Sequence, residues 1–421
     1  MERKITDELL KWKRDENRKN LLLYGMHQIG KTYSVIDFGE KYYKNIAYFD
    51  LYNNFELLDF FKREKVSERL IFNLTVLSGE SIFKEDTLIV FDNCDDVEFI
   101  KKSSLLSKEN YHIIIITSHK RIVKEIKSED LRYCKMNQMD FEEFLLNSEK
   151  KQLIDFINDS YQTLKPMPFH QMALDLYNDY LLTGGMPEVV NEYFNGNNFF
   201  KMESIKNKIL NIYIGDIAIN GDPTDFSKSI EVFNSLPYQL MKENRKFQYG
   251  LIKKGGRSKE YENSISDLNN NALINRCFRL VDIKSPLSSV KDNESFKLYL
   301  NDSGLLFTML HLSKIKLLTD IDIRRCLVEN NVANMLSNNG ISLYYYQSDG
   351  KAMVSFVVQN RIGKVIPIEV IDMKLTKAKS LSMFLSKYEI DEGIRITEDN
   401  FNKKKGIRYI PTYATFCLKN L

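Results

Sequence analysis

Apolar residues in the first 140 positions come in short unbroken runs rather than in alternation. "NLLLYG" (20–25), "NIAYFDL" (45–51), "DTLIVFDN" (86–93), "YHIIIITSH" (111–119) and "YCKMNQM" (133–139) read as five strands. A helical run follows the first of them, from Lys31 to about Tyr43. Continuous apolar strands spaced by helical segments belong to a parallel sheet covered on both faces. Such a sheet presents the C-terminal ends of its strands to a ligand crevice. From about Phe141 to Phe200 the pattern turns helical, broken by "TGGMPEVV" (183–190), and it stays mainly helical from about 205 to 310. After about 320, a helix near 326–338 precedes strand-like "ISLYYYQ", "MVSFVV" and "KVIPIEVI". The fold class expected is α/β, in four parts: 1–140, 141–204, 205–318 and 319–421. No internal repeat or low-complexity tract is visible.

A length of 421 residues suits two or three domains, and 43% hydrophobic with 28% charged residues suits well-formed cores. Sixty basic against 57 acidic residues leave a net charge of +3, so a nucleic-acid partner has to be argued from local patches. The five cysteines are spread out with no CxxC pair, which fits a reducing cytoplasm better than a disulfide framework or zinc site. The N-terminal "MERKITDELLKWKRDENRKN" is too charged for a signal peptide, and no apolar run nears the roughly 20 residues of a spanning helix. A cytoplasmic soluble protein is expected. The five histidines (27, 112, 119, 170, 311) show no paired spacing for metal binding or catalysis.

"GMHQIGKT" matches G-x-x-x-x-G-K-[ST] in full. Gly25 and Gly30 permit a backbone whose N–H groups point inward at a phosphate. Lys31 supplies a charge to the β/γ-phosphates and Thr32 a hydroxyl to Mg²⁺, at the positive end of the helix that starts there. The loop lies between an expected strand and an expected helix, where the mechanism needs it. ATP with Mg²⁺ is the ligand expected.

A metal-holding carboxylate belongs at the end of another strand. "TLIVFDNCDD" offers Asp92, and Thr32 with Asp92 would hold the Mg²⁺. An acid usually follows, to prepare the attacking water; here Asn93 stands there, and an amide holds water without accepting its proton. Asp95 or Asp96 would substitute if the loop folds back. In "TSHKR", Thr117 or Ser118 would reach the γ-phosphate region, and Lys120 or Arg121 would add a charge sensor or lie at the surface. Nucleotide binding is expected, with slow hydrolysis.

With these residues in view, "LKWKRDENRKNLLLYGMHQIGKT" resembles the opening of a prokaryotic P-loop ATPase family of the AAA+/STAND type. That family usually shows G-x-R-Q-x-G-K-T; this chain keeps Gln28 and has His27 in place of the arginine. "MDFEEFL" (139–145) and "YLLTGGMPEVV" (180–190) also match, and the resemblance implies that Pro187 packs against the nucleotide. Read alone, "GGMP" is a turn before a helix. "SLPYQLMKENRKFQYGLIKKGGRSKEYENSISDL" (235–268) and "FKLYLNDSGLLFTML" (296–310) resemble the family's C-terminal domain of unknown function. The resemblance implies a winged-helix-like part and then a restriction-endonuclease-like αβ part. The former is locally basic: Lys242, Arg245, Lys246, Lys253, Lys254, Arg257 and Lys259 would contact DNA phosphates or form a solvated face.

Nucleases of that fold place Glu on a helix, Glu-x-Asp-Phe on a strand and Pro-x-Glu-x-Lys on the next. Here Glu329 and Glu369 remain, Met353 and Ser355 stand where acids would be, and Ile371 replaces the lysine. In a strand, Lys374 points to the opposite face from Glu369 and Ile371 unless a bulge intervenes, and Asp349 sits in an apparent turn. Glu329 and Glu369 read as the remnant of a nuclease site. The function expected is a nucleotide-controlled ATPase switch, with a DNA-binding regulatory module or a metal-dependent nuclease as rivals.

Overall fold

The computed structural model describes residues 1–52, 54–107, 109–126, 128–220, 225–348, 353–360, 362–371 and 380–421. Asp349 and Lys374, raised above as stand-ins for nuclease residues, lie outside that set, as does the side chain of Lys120. The chain divides into two compact units, residues 1–138 with 270–272, and residues 139–269 with 273–421.

The first unit carries strands β1 (Asn20–Tyr24), β2 (Asn45–Asp50), β3 (Thr87–Asp92), β4 (His112–Thr117) and β5 (Leu131–Lys135). Its helices are α1 (Ile5–Lys13), α2 (Lys31–Tyr42), α3 (Phe55–Arg63), α4 (Ser67–Ser78), α5 (Val97–Ser107) and α6 (Lys120–Ile126). All five strands are parallel, in the order β2-β3-β4-β1-β5. The apolar runs mark them well because β3 and β4 are buried on both faces along their whole length. The fifth begins two residues earlier than expected, at the sheet edge beside β1, where only Leu131 is fully covered. One face is closed by Phe49, Phe61, Phe91 and Phe99, with Phe61 and Phe99 rings 4.4 Å apart. Truncating a ring so enclosed costs about 3–5 kcal/mol.

The second unit opens with α7 (Phe141–Leu146), α8 (Leu153–Thr163), α9 (His170–Thr183), α10 (Pro187–Asn195), α11 (Phe199–Asn220), α12 (Phe226–Leu240) and α13 (Ser258–Asn270). Then come β6 (Ile274–Leu280), β7 (Lys291–Leu300), α14 (Ser303–Met309), α15 (Lys314–Thr319), α16 (Ile321–Asn338), β8 (Tyr344–Gln347) and β9 (Met353–Val354). The chain closes with β10 (Phe356–Gln359), β11 (Val365–Val370), α17 (Ser380–Lys387), β12 (Gly393–Thr397), β13 (Asn402–Lys404) and β14 (Ile407–Pro411). These strands form two sheets, β7-β6-β8-β9 and β10-β11-β12-β14-β13, both mixed. The fold is therefore α/β, with an N-terminal parallel sheet, a helical middle and C-terminal sheets. No helix among the described residues is long and apolar enough to cross a membrane.

The antiparallel pair β6–β7 departs from the helical reading of 205–310. Charges interrupt its alternation, yet the fold absorbs them. Lys297 is fully buried beside Glu329, and Arg276 lies over the Phe296 ring at 3.7 Å. Long side chains can lie along apolar surface while their charged ends find partners.

Two sequence motifs in this unit hold each other. Asp302 caps α14 by accepting from Leu305 N at 2.8 Å, and its other oxygen accepts from Gly185 N at 2.7 Å, in "TGGMP". A side chain at Gly304 would meet Thr183 O at 2.4 Å, so α14 packs directly on the turn between α9 and α10. Burial raises the Asp302 carboxyl, against the pull of these N–H groups and Lys206.

In the first unit His112 is buried, with Nδ1 2.7 Å from Tyr43 OH. Burial, then the charges of Arg18 and Lys13, push it from 6.5 down to about 4. Between those values the unfolded chain binds a proton that the folded one refuses, so stability falls as pH drops from about 6.5 to 4, by up to roughly 3 kcal/mol. Urea unfolding across that range should show this slope, reduced in His112→Gln.

Candidate nucleotide site

Strand β1 ends at Tyr24, whose carbonyl accepts from Met136 N at 2.9 Å. This draws the chain after β5 against the start of the loop. A Cβ at Gly25 would sit 2.3 Å from Met136 O, so only glycine allows the approach. Gly30 closes the loop at φ 85° and caps α2. Gln28 also adopts positive φ, 64°, with its side chain exposed. From outside the loop, buried Arg3 donates to Ile29 O and Asn137 O, both at 2.8 Å. No motif marked Arg3; its support of the loop is visible only once the fold closes.

Lys31 begins α2 and is buried, with its ammonium turned back into the loop. Nζ donates to Gly25 O (3.0 Å), Met26 O (2.7 Å) and Ser118 Oγ (2.9 Å). The tip of β4 thus touches the loop lysine. Thr32 Oγ1 donates to Asp92 Oδ2 at 2.6 Å, and Tyr48 OH donates to the same oxygen at 2.9 Å. Tyr48, on β2, was not foreseen; burial, then Asp92, raises its phenol.

A hydroxyl beside a carboxylate is a hard-oxygen pair of the kind Mg²⁺ takes. Next to a buried ammonium turned back into the glycine loop, it fits a Mg²⁺-nucleotide. Lys31, Thr32, Asp92 and Ser118, expected to act together, are joined by these bonds.

Asn93 lies at φ 53°; its backbone N–H bonds Asp92 Oδ1 (2.8 Å) and its amide donates to Asp50 Oδ1 (2.9 Å) on β2. The loop then folds back toward β4. Asp95 Oδ1 accepts from Thr117 Oγ1 at 2.7 Å, and its Oδ2 lies 3.2 Å from His119 Nε2. The His119 ring meets His27 of the phosphate loop edge-on, with centroids 5.8 Å apart. Burial opposes ionisation of Asp95, but His119, Thr117 and His27 outweigh it and hold the carboxyl below its usual range. Asp96 instead pairs with Lys62 at 2.5 Å.

Arg121 is exposed and pairs with Glu125 at 3.0 Å, and the other expected residues lie in the second unit. Pro187 is the first residue of α10, behind the fully buried Met186. Of the basic cluster, Lys253, Lys254, Arg257 and Lys259 are exposed, and Lys242 and Lys246 are half-buried. Arg245 does not belong to that face. It is 3% exposed and donates to Glu329 Oε2 at 3.1 Å, because only a buried carboxylate compensates a guanidinium there.

Glu329 also accepts from Lys297 (3.0 Å) and Tyr299 (2.7 Å); burial is overcome by Arg245 and Lys297, taking its carboxyl down to about 2. Glu369 is held separately by Arg395, at 2.9 and 2.7 Å. Burial still leaves the Glu369 carboxyl raised. Ser355, where an acid would stand, accepts from Val370 N. Each glutamate is thus neutralised by its own bases, and no three His, Cys, Asp or Glu among the described residues gather as a metal would require.

Residues 17–145 match the family model of the AAA domain. That match spans nearly all of the first unit. Residues 174–316 match a domain of unknown function (DUF8612). No curated protein matches the chain. Among solved structures, it is similar to a signal transduction ATPase with numerous domains (STAND) protein with a tetratricopeptide repeat sensor from Pyrococcus horikoshii. That likeness has 13% identity and a TM-score of 0.28, over 80% of this chain and 45% of that one. The chain thus spans less than half of that protein's length. It is also similar to the Aeropyrum pernix ORC1 protein in complex with DNA (14% identity, TM-score 0.27, 73% of this chain and 90% of that one). A third likeness is the S. cerevisiae Hsp104–ADP complex (12%, 0.27, 79% and 44%).

Arg245→Ala would leave Glu329 Oε2 without its guanidinium while Lys297 and Tyr299 still hold the other oxygen, and should cost about 1–3 kcal/mol in chemical denaturation. Lys253→Ala should change stability by no more than about 0.5 kcal/mol.

Proposed function

We propose that the protein is an ATP-binding, AAA+/STAND-like ATPase that works as a nucleotide-controlled switch with slow hydrolysis. One observation carries this reading: Lys31 bonds Ser118 at the tip of β4 while Thr32 bonds Asp92 at the tip of β3, all around one glycine loop. Thr32 and Asp92 would hold Mg²⁺, which would supply charge neutralisation at the phosphates. Gly25, Gln28, Gly30 and Lys31 would cradle the nucleotide.

The switch needs contacts that differ between states. The Lys31 ammonium bonds two loop carbonyls and Ser118. A γ-phosphate would compete for it and release Ser118, so the β4 tip would report which nucleotide is present. Slow hydrolysis follows from Asn93, which cannot take a proton and whose amide is engaged with Asp50. The helical segment with Pro187, a winged-helix-like part around α12, α13 and β6–β7, and a nuclease-like part that has lost its metal site would carry the output. Ion pairing of Glu329 and Glu369 supports a scaffold over a nuclease.

A second reading, DNA contact, draws on the exposure of Lys253, Lys254, Arg257 and Lys259 within seven positions. It requires affinity that falls steeply with salt and weakens when these four are neutralised; salt-independent or absent binding would remove it.

Titration with Mg-ATP tests the main reading. Lys31→Ala should weaken binding at least about tenfold, the loss of one charge-assisted contact of roughly 1.5–3 kcal/mol. Hydrogen exchange at residues 117–119 should differ between ATP and ADP. Identical exchange with both nucleotides would remove the switch and leave only a binding site.

A further inference from the structure

If ATP is turned over at this site, a base must take the proton of the attacking water, and Asn93 is not one. The strand order narrows the choice. Strand β4 lies between β3, which carries Asp92, and β1, which leads to Lys31. A terminal phosphate held by Lys31 and Asp92 therefore lies over the C-terminal end of β4. Asp50, which accepts from the Asn93 amide, is on β2, on the far side of β3. Asp96 is paired with Lys62. His119 follows the end of β4, and Asp95, from the loop after β3, bonds Thr117 there.

Resting on the nucleotide-site reading above, we propose that His119, positioned by Asp95, is the base that activates water in this ATPase. Ser118, next to it, touches the Lys31 ammonium, which ties the His119 position to the phosphate end of the site. Asp95 is fixed from two sides, by Thr117 Oγ1 at one oxygen and by His119 Nε2 at 3.2 Å at the other. The His119 backbone N–H also donates to Thr117 Oγ1 at 3.1 Å, so the His119 backbone and the Asp95 carboxylate are braced on the same hydroxyl. A proton shared between Nε2 and Asp95 leaves the lone pair of the neutral imidazole on Nδ1. Among the described residues, the charged or titratable groups facing the ring are Asp95 and His27, with Lys31 one residue away through Ser118.

In the step itself, His119 Nδ1 takes a proton from water as its oxygen bonds the γ-phosphorus. The bond from that phosphorus to the β,γ-bridging oxygen breaks, ADP and phosphate form, and the imidazolium returns its proton to solvent. Asp95 is the positioning residue, steadying the ring and then its positive charge. His27 lines the ring from the loop.

Single-turnover hydrolysis and nucleotide binding, measured together on the full chain, test this. In His119→Gln, Mg-ATP affinity should stay within about twofold while turnover falls about 100-fold or more, the usual worth of a general base. Asp95→Asn should slow turnover with binding intact. A readout without nucleotide is the Asp95 carboxyl, followed by NMR; removing His119 should raise it from its depressed position. Native-like turnover in His119→Gln would overturn the proposal, as would a native protein that binds ATP and never cleaves it. A native protein that binds no nucleotide would overturn the site reading beneath it as well.

Discussion

A parallel sheet delivers every strand end to one edge, and the first unit depends on that constraint. Because β1, β3 and β4 all finish on the same side, a lysine after one, a carboxylate on the second and a serine after the third meet without any long-range design in the loops. Continuous apolar strands force this arrangement, since both faces must be covered and crossover helices provide the cover. The chemistry then needs only a few polar residues at the tips. Asp92 shows how tightly the tips converge: it receives bonds from α2, from β2 and from its own following residue.

The second unit is organised by buried charge instead. Glu329 gathers Arg245, Lys297 and Tyr299, and Asp302 gathers the N–H groups of two separate turns. Such groups add little net stability beside a hydrophobic alternative of the same shape, but each is costly to leave half-made. They therefore act as registration points. The turn at Gly184–Gly185 and the start of α14 fit in one arrangement, in which Asp302 is satisfied.

Much of the first unit was legible because its signals are local. The strands are uninterrupted apolar runs, and the phosphate loop is contiguous in sequence. What escaped was non-local or carried misleading chemistry. The sequence offers Asp95 as a stand-in acid and His27 within the loop motif, but not their meeting with His119, which depends on β4 lying beside β3 and across from the loop. Tyr48 reaches Asp92 from a neighbouring strand. Arg245 looked like surface because its neighbours Lys253 and Lys254 are, and charge alone cannot tell an exposed arginine from one matched to a buried glutamate. Strands β6 and β7 were hidden by Arg276 and Lys297, whose apolar stems pack while their heads find partners.

Arg3 gives the loop a dependence that domain boundaries overlook. The stretch that matches the AAA domain begins at residue 17, yet the guanidinium bracing Ile29 and Asn137 comes from ahead of it. A fragment trimmed to the matched span would keep every residue of the phosphate motif and lose its outer brace. Arg3 sets the loop's curvature from beyond the edge of recognisable similarity, so an inert excised domain would say little about the intact chain.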